Sequence, residues 1–209
     1  MNIIYIHGFK SSGDNDKSNQ LIKYFSKYGP KVNIISPTLS ANPKEAVSTL
    51  SSIIKGTKGP VIVVGTSLGG FYALYCAARF DVPAFVINPS LEPHMSLAKD
   101  IGTHTRYGNG EPYEFKKEYL DSLKFLFDTI QSSSITSSNL YFYISSDDER
   151  LTFDKLDQYF PYRKTLKKFE NAGHRFSRFN EILPDIENVA NELNFITEAL
   201  KRNKNLLYI

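Results

Sequence analysis

Through residue 87 the apolar residues fall into two kinds of stretch. Short continuous runs, 2–6, 32–35, 61–64 and 84–87, are rich in Ile and Val and read as strands. Between them, apolar positions recur at helical spacing. Leu21, Ile22, Phe25 and Tyr28 share one face of a helix expected at 17–28, capped by Asp14 or Asp16 and stopped by Gly29-Pro30. Val47, Leu50, Ile53 and Ile54 share the face of a second, which opens at Asn42-Pro43-Lys44-Glu45 and ends at Gly56. A third helix is expected over 71–79. Strands that are apolar throughout, rather than at alternate positions, are buried on both faces. An α/β fold with a mostly parallel sheet follows.

The alternation breaks at residue 90. Residues 90–138 show no clear strand, a Gly-rich loop at 107–111 and one convincing helix at 114–131, with Leu120, Leu123, Phe127 and Ile130 on one face. This insert either covers a site as a partial lid or extends the outer shell. A polar link over 132–138 then leads to strands at 140–144 and 165–169, which bring the sheet to about six. A short helix is expected at 153–160. A last helical region, 180–201, is interrupted or re-aimed at Pro184. A chain of 209 residues suits one domain, 1–209.

Composition narrows the function. The net charge of +3 is small and both signs are interspersed, so clusters such as Lys164 to Lys168 are expected to be solvated surface and no nucleic-acid partner is expected. No apolar run approaches the ~18 residues of a membrane span, so no stable membrane association is expected. Residues 1–6 read as a strand rather than as a secretory signal. The single cysteine, Cys76, rules out an internal disulfide and suits a reducing, cytoplasmic setting; it is expected to be buried packing. No cluster has metal-ligand spacing and no Gly-x-Gly-x-x-Gly follows the first strand, so neither metal nor cofactor is expected.

One motif carries chemistry. The third strand runs into Gly65-Thr66-Ser67-Leu68-Gly69 and then a helix. Gly-x-Ser-x-Gly in that context holds its serine in a strained turn, where the strand and helix approach closely because the glycines lack Cβ. The hydroxyl then projects from the carboxyl end of the sheet beside free helix N–H groups. A phosphate loop fits poorly, because Phe71 stands where Lys would be expected.

A serine needs a base, and the base needs an acceptor that fixes its tautomer. His174 follows the last strand and is the candidate base; His7 follows the first, and His94 and His104 lie in the insert. The acid is expected after the fifth strand, where Asp147, Asp148 and Glu149 stand together. Asp148 is preferred and Asp147 comes next; two of the three carboxylates are expected to be solvated turn residues. Backbone N–H groups of Phe9 and Leu68 are the candidate oxyanion hole, with His7 holding the loop through its side chain. Phe71 and Phe176 flank these positions and are candidates for an apolar substrate pocket.

The segments Ile4–Ser12, Val64–Ala73, Ile87–Pro93, Asp147–Leu151 and Ala172–Phe176, in this order, resemble the small α/β-hydrolase family of YqiA-like esterases. The likeness spans nearly the whole chain. Asn88-Pro89 and the phenylalanine two after His174 are more specific than the serine motif. The resemblance implies an α/β-hydrolase fold, Ser67, Asp148 and His174 at the triad positions, and hydrolysis of carboxylic esters or acyl thioesters. The family usually has Gly where this chain has Asp147. Two alternatives stay open at this point: an acyltransferase using the same three residues, and a non-catalytic acyl-ligand binder on the same scaffold.

Overall fold

A computed structural model describes residues 1–133 and 139–206, with side chains to 202; the expected polar link at 132–138 lies largely outside them. The strands are β1 (Asn2–Ile6), β2 (Asn33–Ile35), β3 (Val61–Thr66), β4 (Ala84–Ile87), β5 (Gly102–Thr105), β6 (Pro112–Phe115), β7 (Leu140–Ser145) and β8 (Thr165–Phe169). The helices are α1 (Asp16–Lys27), α2 (Pro43–Gly56), α3 (Leu68–Phe80), α4 (Pro93–Ser96), α5 (Glu118–Ser132), α6 (Leu156–Tyr159) and α7 (Leu183–Leu206). The main sheet has the order β2-β1-β3-β4-β7-β8. Every pairing within it is parallel.

Alternate residues of the central strands face two apolar layers. Ile4, Ile6, Val61, Val63, Val86 and Phe142 pack with residues of α2, α3 and α5. Ile3, Tyr5, Ile62, Val64, Phe85 and Tyr143 pack with residues of α1 and α7. Both faces are therefore covered, which is why the strand runs are apolar at every position. Cys76 is fully buried within the first layer, as expected.

Several local expectations are corrected. Asn15, not Asp14 or Asp16, caps α1: its carboxamide oxygen accepts from Lys17 and Ser18 N–H, while the Ser18 hydroxyl reaches back. The insert contains an antiparallel hairpin, β5–β6, whose short alternating pattern carries too few apolar residues to signal a strand. Tyr113 and Phe115 point inward from β6, so α5 begins at Glu118 rather than at 114. Pro184 does not break a long helix. A 3-10 turn at Phe179–Ile182 precedes it, and Pro184 falls in the first turn of α7, where a missing N–H leaves no helical bond unmade. No described helix is long and apolar enough to cross a membrane.

Candidate active site

The carboxyl ends of β3, β7 and β8 bring three distant side chains together. Ser67 sits between β3 and α3 at φ 57°, ψ −120°, a conformation that costs a non-glycine residue on the order of 1–3 kcal/mol. Close packing enforces it. A Cβ on Gly65 would lie 2.1 Å from the Gly69 carbonyl oxygen, so only glycine lets strand and helix meet there. The carbonyl of Ser67 accepts from Gly70, Phe71 and Ser90, and its N–H donates to Ile87.

His174 Nε2 lies 3.1 Å from Ser67 Oγ. On the other side of the ring, Nδ1 lies 2.9 and 3.0 Å from the two Asp148 oxygens. The Asp148 side chain is 1% exposed and that of His174 14%, so this pairing is shielded while the imidazole keeps an opening to solvent. The geometry assigns the Nδ1 proton to the carboxylate side and leaves Nε2 as acceptor for the serine hydroxyl.

The neighbouring acids have different partners. Asp147 Oδ1 accepts from the Ser145 hydroxyl and from Ala172 and Gly173 N–H. Glu149 Oε2 accepts from the His174 N–H at 2.9 Å. Both carboxyls are held below their usual range, Asp147 chiefly by the Ser145 hydroxyl and Glu149 by backbone N–H groups including that of His174. Asp147 and Glu149 are exposed, as expected for solvated turn residues, and they also tie down the loop that carries His174. Sequence spacing marks the cluster and does not separate the roles, because all three sit within one turn.

The loop after β1 abuts Ser67. A Cβ on Gly8 would stand 3.3 Å from Ser67 Cβ, so glycine permits the approach. Leu68 is the first residue of α3 and its N–H has no acceptor within the helix. His7 is buried; Nδ1 bonds the Gly8 carbonyl at 2.8 Å and Nε2 accepts the Leu39 N–H at 2.9 Å. Burial pushes this imidazole down to about 4, with the Gly8 bond opposing and the Arg106 charge adding to the fall. It is thus a neutral loop anchor. The Phe9 ring meets Tyr113, Phe115 and His104 of the hairpin edge-on at 5.2–5.7 Å.

Two sequence candidates lie elsewhere. Phe71 and Phe176 are 1% and 0% exposed, in the two separate core layers, so neither presents surface to a ligand. Helical and post-loop spacing placed them near the motif, and burial turned them inward. Phe176 instead anchors the base loop: its backbone is at φ 50°, and its ring packs against Phe169 at 5.0 Å. Two contributing residues carry weaker signals. Arg106, half-buried at the hairpin, donates to the Ser11 and Leu39 carbonyls at 2.6 and 2.7 Å, and nothing in its local sequence points to that. Asn88 closes β4 and belongs to the Asn88-Pro89 pair that carries the family resemblance, but nothing in the sequence indicates which groups its side chain meets. Among the described residues no group of His, Cys, Asp and Glu is arranged to hold a metal ion.

With this geometry in place, comparison with known proteins is informative. The profile of the uncharacterised protein family UPF0227, the YqiA family, matches residues 2–191. The chain belongs to that family. Among solved structures, Est1E from Butyrivibrio proteoclasticus superposes with a TM-score of 0.68 at 12% identity, covering 92% of this chain and 87% of that one. Mouse α/β hydrolase domain-containing protein 10 gives 0.66 at 17% identity, over 92% and 90% of the two chains. The monoacylglycerol lipase of Paleococcus ferrophilus gives 0.63 at 13%, over 88% and 92%. Together they establish that this family member has the α/β-hydrolase fold.

Proposed function

We propose that the chain is a serine hydrolase of carboxylic esters or acyl thioesters, with Ser67 as nucleophile, His174 as base and Asp148 as its orienting acid. One observation carries the reading: the continuous chain from Ser67 Oγ through His174 to the buried Asp148 carboxylate, at 3.1 and 2.9 Å. In this mechanism Ser67 Oγ attacks the acyl carbonyl as its proton passes to His174 Nε2. Asp148 stabilises the imidazolium across the Nδ1 bond. The Leu68 and Phe9 N–H groups receive the oxyanion; each such donor is worth roughly 3 kcal/mol in the transition state. His174 then protonates the departing alcohol or thiol, and the Ser67 acyl ester forms. Water attacks that ester by the same route, returning the proton to Ser67.

Several observations support this reading. The serine is held in the strained turn the chemistry needs, His7 is neutral and occupied elsewhere, and the fold is that of the esterase and lipase structures above. The test treats the protein with a fluorophosphonate and locates the adduct by mass spectrometry. Labelling confined to Ser67, lost in Ser67→Ala and accompanied by hydrolysis of p-nitrophenyl acetate, is the expected result. An adduct that persists in Ser67→Ala, or hydrolysis that survives in His174→Ala, removes the assignment.

A further inference from the structure

Asn88 is 0% exposed, yet every polar atom of its carboxamide is used. Its Nδ2 donates to the carbonyls of Gly173 and His174 at 2.8 and 3.1 Å, and its Oδ1 accepts the Ser145 N–H at 2.7 Å. One side chain at the end of β4 therefore bridges the loop that carries His174 and the strand end three residues before Asp148. Its backbone is equally placed. The Asn88 N–H donates to the Tyr143 carbonyl, while the residue before it and the second residue after it bond Ser67: Ser67 N–H donates to Ile87, and Ser90 N–H to the Ser67 carbonyl. The residue sits at φ 39°, a conformation that asparagine and glycine tolerate better than other residues.

We propose that Asn88 is the positioning residue that registers the His174 loop against both Ser67 and Asp148. This rests on the triad reading above. Asn88 is fully enclosed, so it touches no substrate and acts through the backbone of the base. The requirement is physical. The loop at 172–174 lies beyond the last strand and makes no sheet bonds of its own. Its N–H groups go to Asp147 and Glu149; the Ala172 carbonyl accepts from Ser177 N–H, the Gly173 carbonyl from Phe176 N–H and from Asn88, and the His174 carbonyl from Asn88. Without the carboxamide, the His174 carbonyl loses its donor, the Gly173 carbonyl keeps only Phe176 N–H, and the imidazole is free to shift. A displacement of about 1 Å in such a site costs on the order of a hundredfold in rate. An aspartate of the same shape would still accept from Ser145, but would set a carboxylate oxygen against two carbonyl oxygens.

The experiment compares the full-length wild type with Asn88→Gly, which keeps the positive φ and removes the clamp, and Asn88→Asp, which keeps the shape and reverses the donor. Both are expected to label at Ser67 with fluorophosphonate at least about tenfold more slowly, and to lose kcat on p-nitrophenyl acetate while KM stays within about threefold. The low-field proton NMR signal of His174 Nδ1–H bonded to Asp148 is expected in the wild type and lost or broadened in both variants. Variants that keep that signal and the wild-type labelling rate overturn the proposal, even if Tm falls, because Asn88 would then only stabilise the fold. Should both variants unfold, the wild type still decides. Its Asn88 side-chain amide protons must resist hydrogen exchange, and rapid exchange overturns the clamp. Failure of the wild type to label at Ser67 is a different result, and removes the nucleophile together with the role built on it.

Discussion

Two loops reach Ser67 from opposite sides of β3 in the sheet order, one after β1 and one after β8, and they are secured by different means. The base loop is held by short polar side chains at the ends of β4 and β7: Asn88, Asp147 and Glu149. These belong to the sheet scaffold. The loop after β1 is held by a neutral imidazole, His7, and by a guanidinium lent by the insert, Arg106. The same hairpin also supplies the rings around Phe9. Alignment of the proposed base is thus a property of the core fold, whereas placement of the proposed Phe9 donor depends on a segment outside the strand–helix alternation. An insert that buttresses a loop can change transition-state stabilisation without disturbing the proton relay.

The sharpest way to test that division is to remove the relay alone. Asp148→Asn should leave the fold intact by circular dichroism and reduce kcat by about 10⁴-fold, because the wrong imidazole tautomer faces Ser67. A loss below tenfold in a steady-state assay would mean that another acid orients His174.

The next effect is on stability and belongs to the other loop. Burial holds His7 at about 4 in the folded state, against 6.5 for the ordinary group. The unfolded chain therefore takes up a proton that the folded chain refuses. Stability from this group is fully present above pH 6.5 and is lost as pH falls toward 4, by up to about 3 kcal/mol. Urea unfolding across that range should show the loss in the wild type, and His7→Gln should lack this component. Equal pH slopes in the two proteins would refute the neutral-anchor role.

Arg106→Met breaks the buttress and spares the base loop. The expected result is a kcat lower by roughly tenfold to a hundredfold, with the His174 low-field proton signal unchanged. Loss of that signal would show that the two loops are not independent. The smallest effects should come from the flanking acids. Asp147→Asn and Glu149→Gln are each expected to lower kcat less than about tenfold, far less than Asp148→Asn. Both carboxyls lie below their usual range, so their contribution to stability is present above that range and fades as pH falls through the folded values. Urea midpoints that drop more with acidification in the wild type than in either variant would check the sign.

Much of this architecture is legible in the chain order. Continuous Ile- and Val-rich runs mark β1, β3 and β4, because a strand covered on both faces has no polar side to show. The serine turn is legible because glycine is required wherever a Cβ would strike backbone, as at Gly65. His174 can be placed from its position after a strand. The β5–β6 hairpin was hidden, since only Tyr113 and Phe115 of β6 turn inward. Phe71 and Phe176 mislead for a related reason: proximity to a motif says nothing about which way a ring points.

Local pattern, then, determined the strands and helices of the parallel sheet and marked Ser67 as the candidate nucleophile, because propensity, burial period and glycine sterics act over a few residues. Which of three adjacent carboxylates meets the imidazole, what anchors the loop after β1, and why Asn88 is buried were decided only in three dimensions. Hydrogen bonds between groups 25 to 107 positions apart leave no periodic trace in the chain; they exist only after the core has brought the strand ends together.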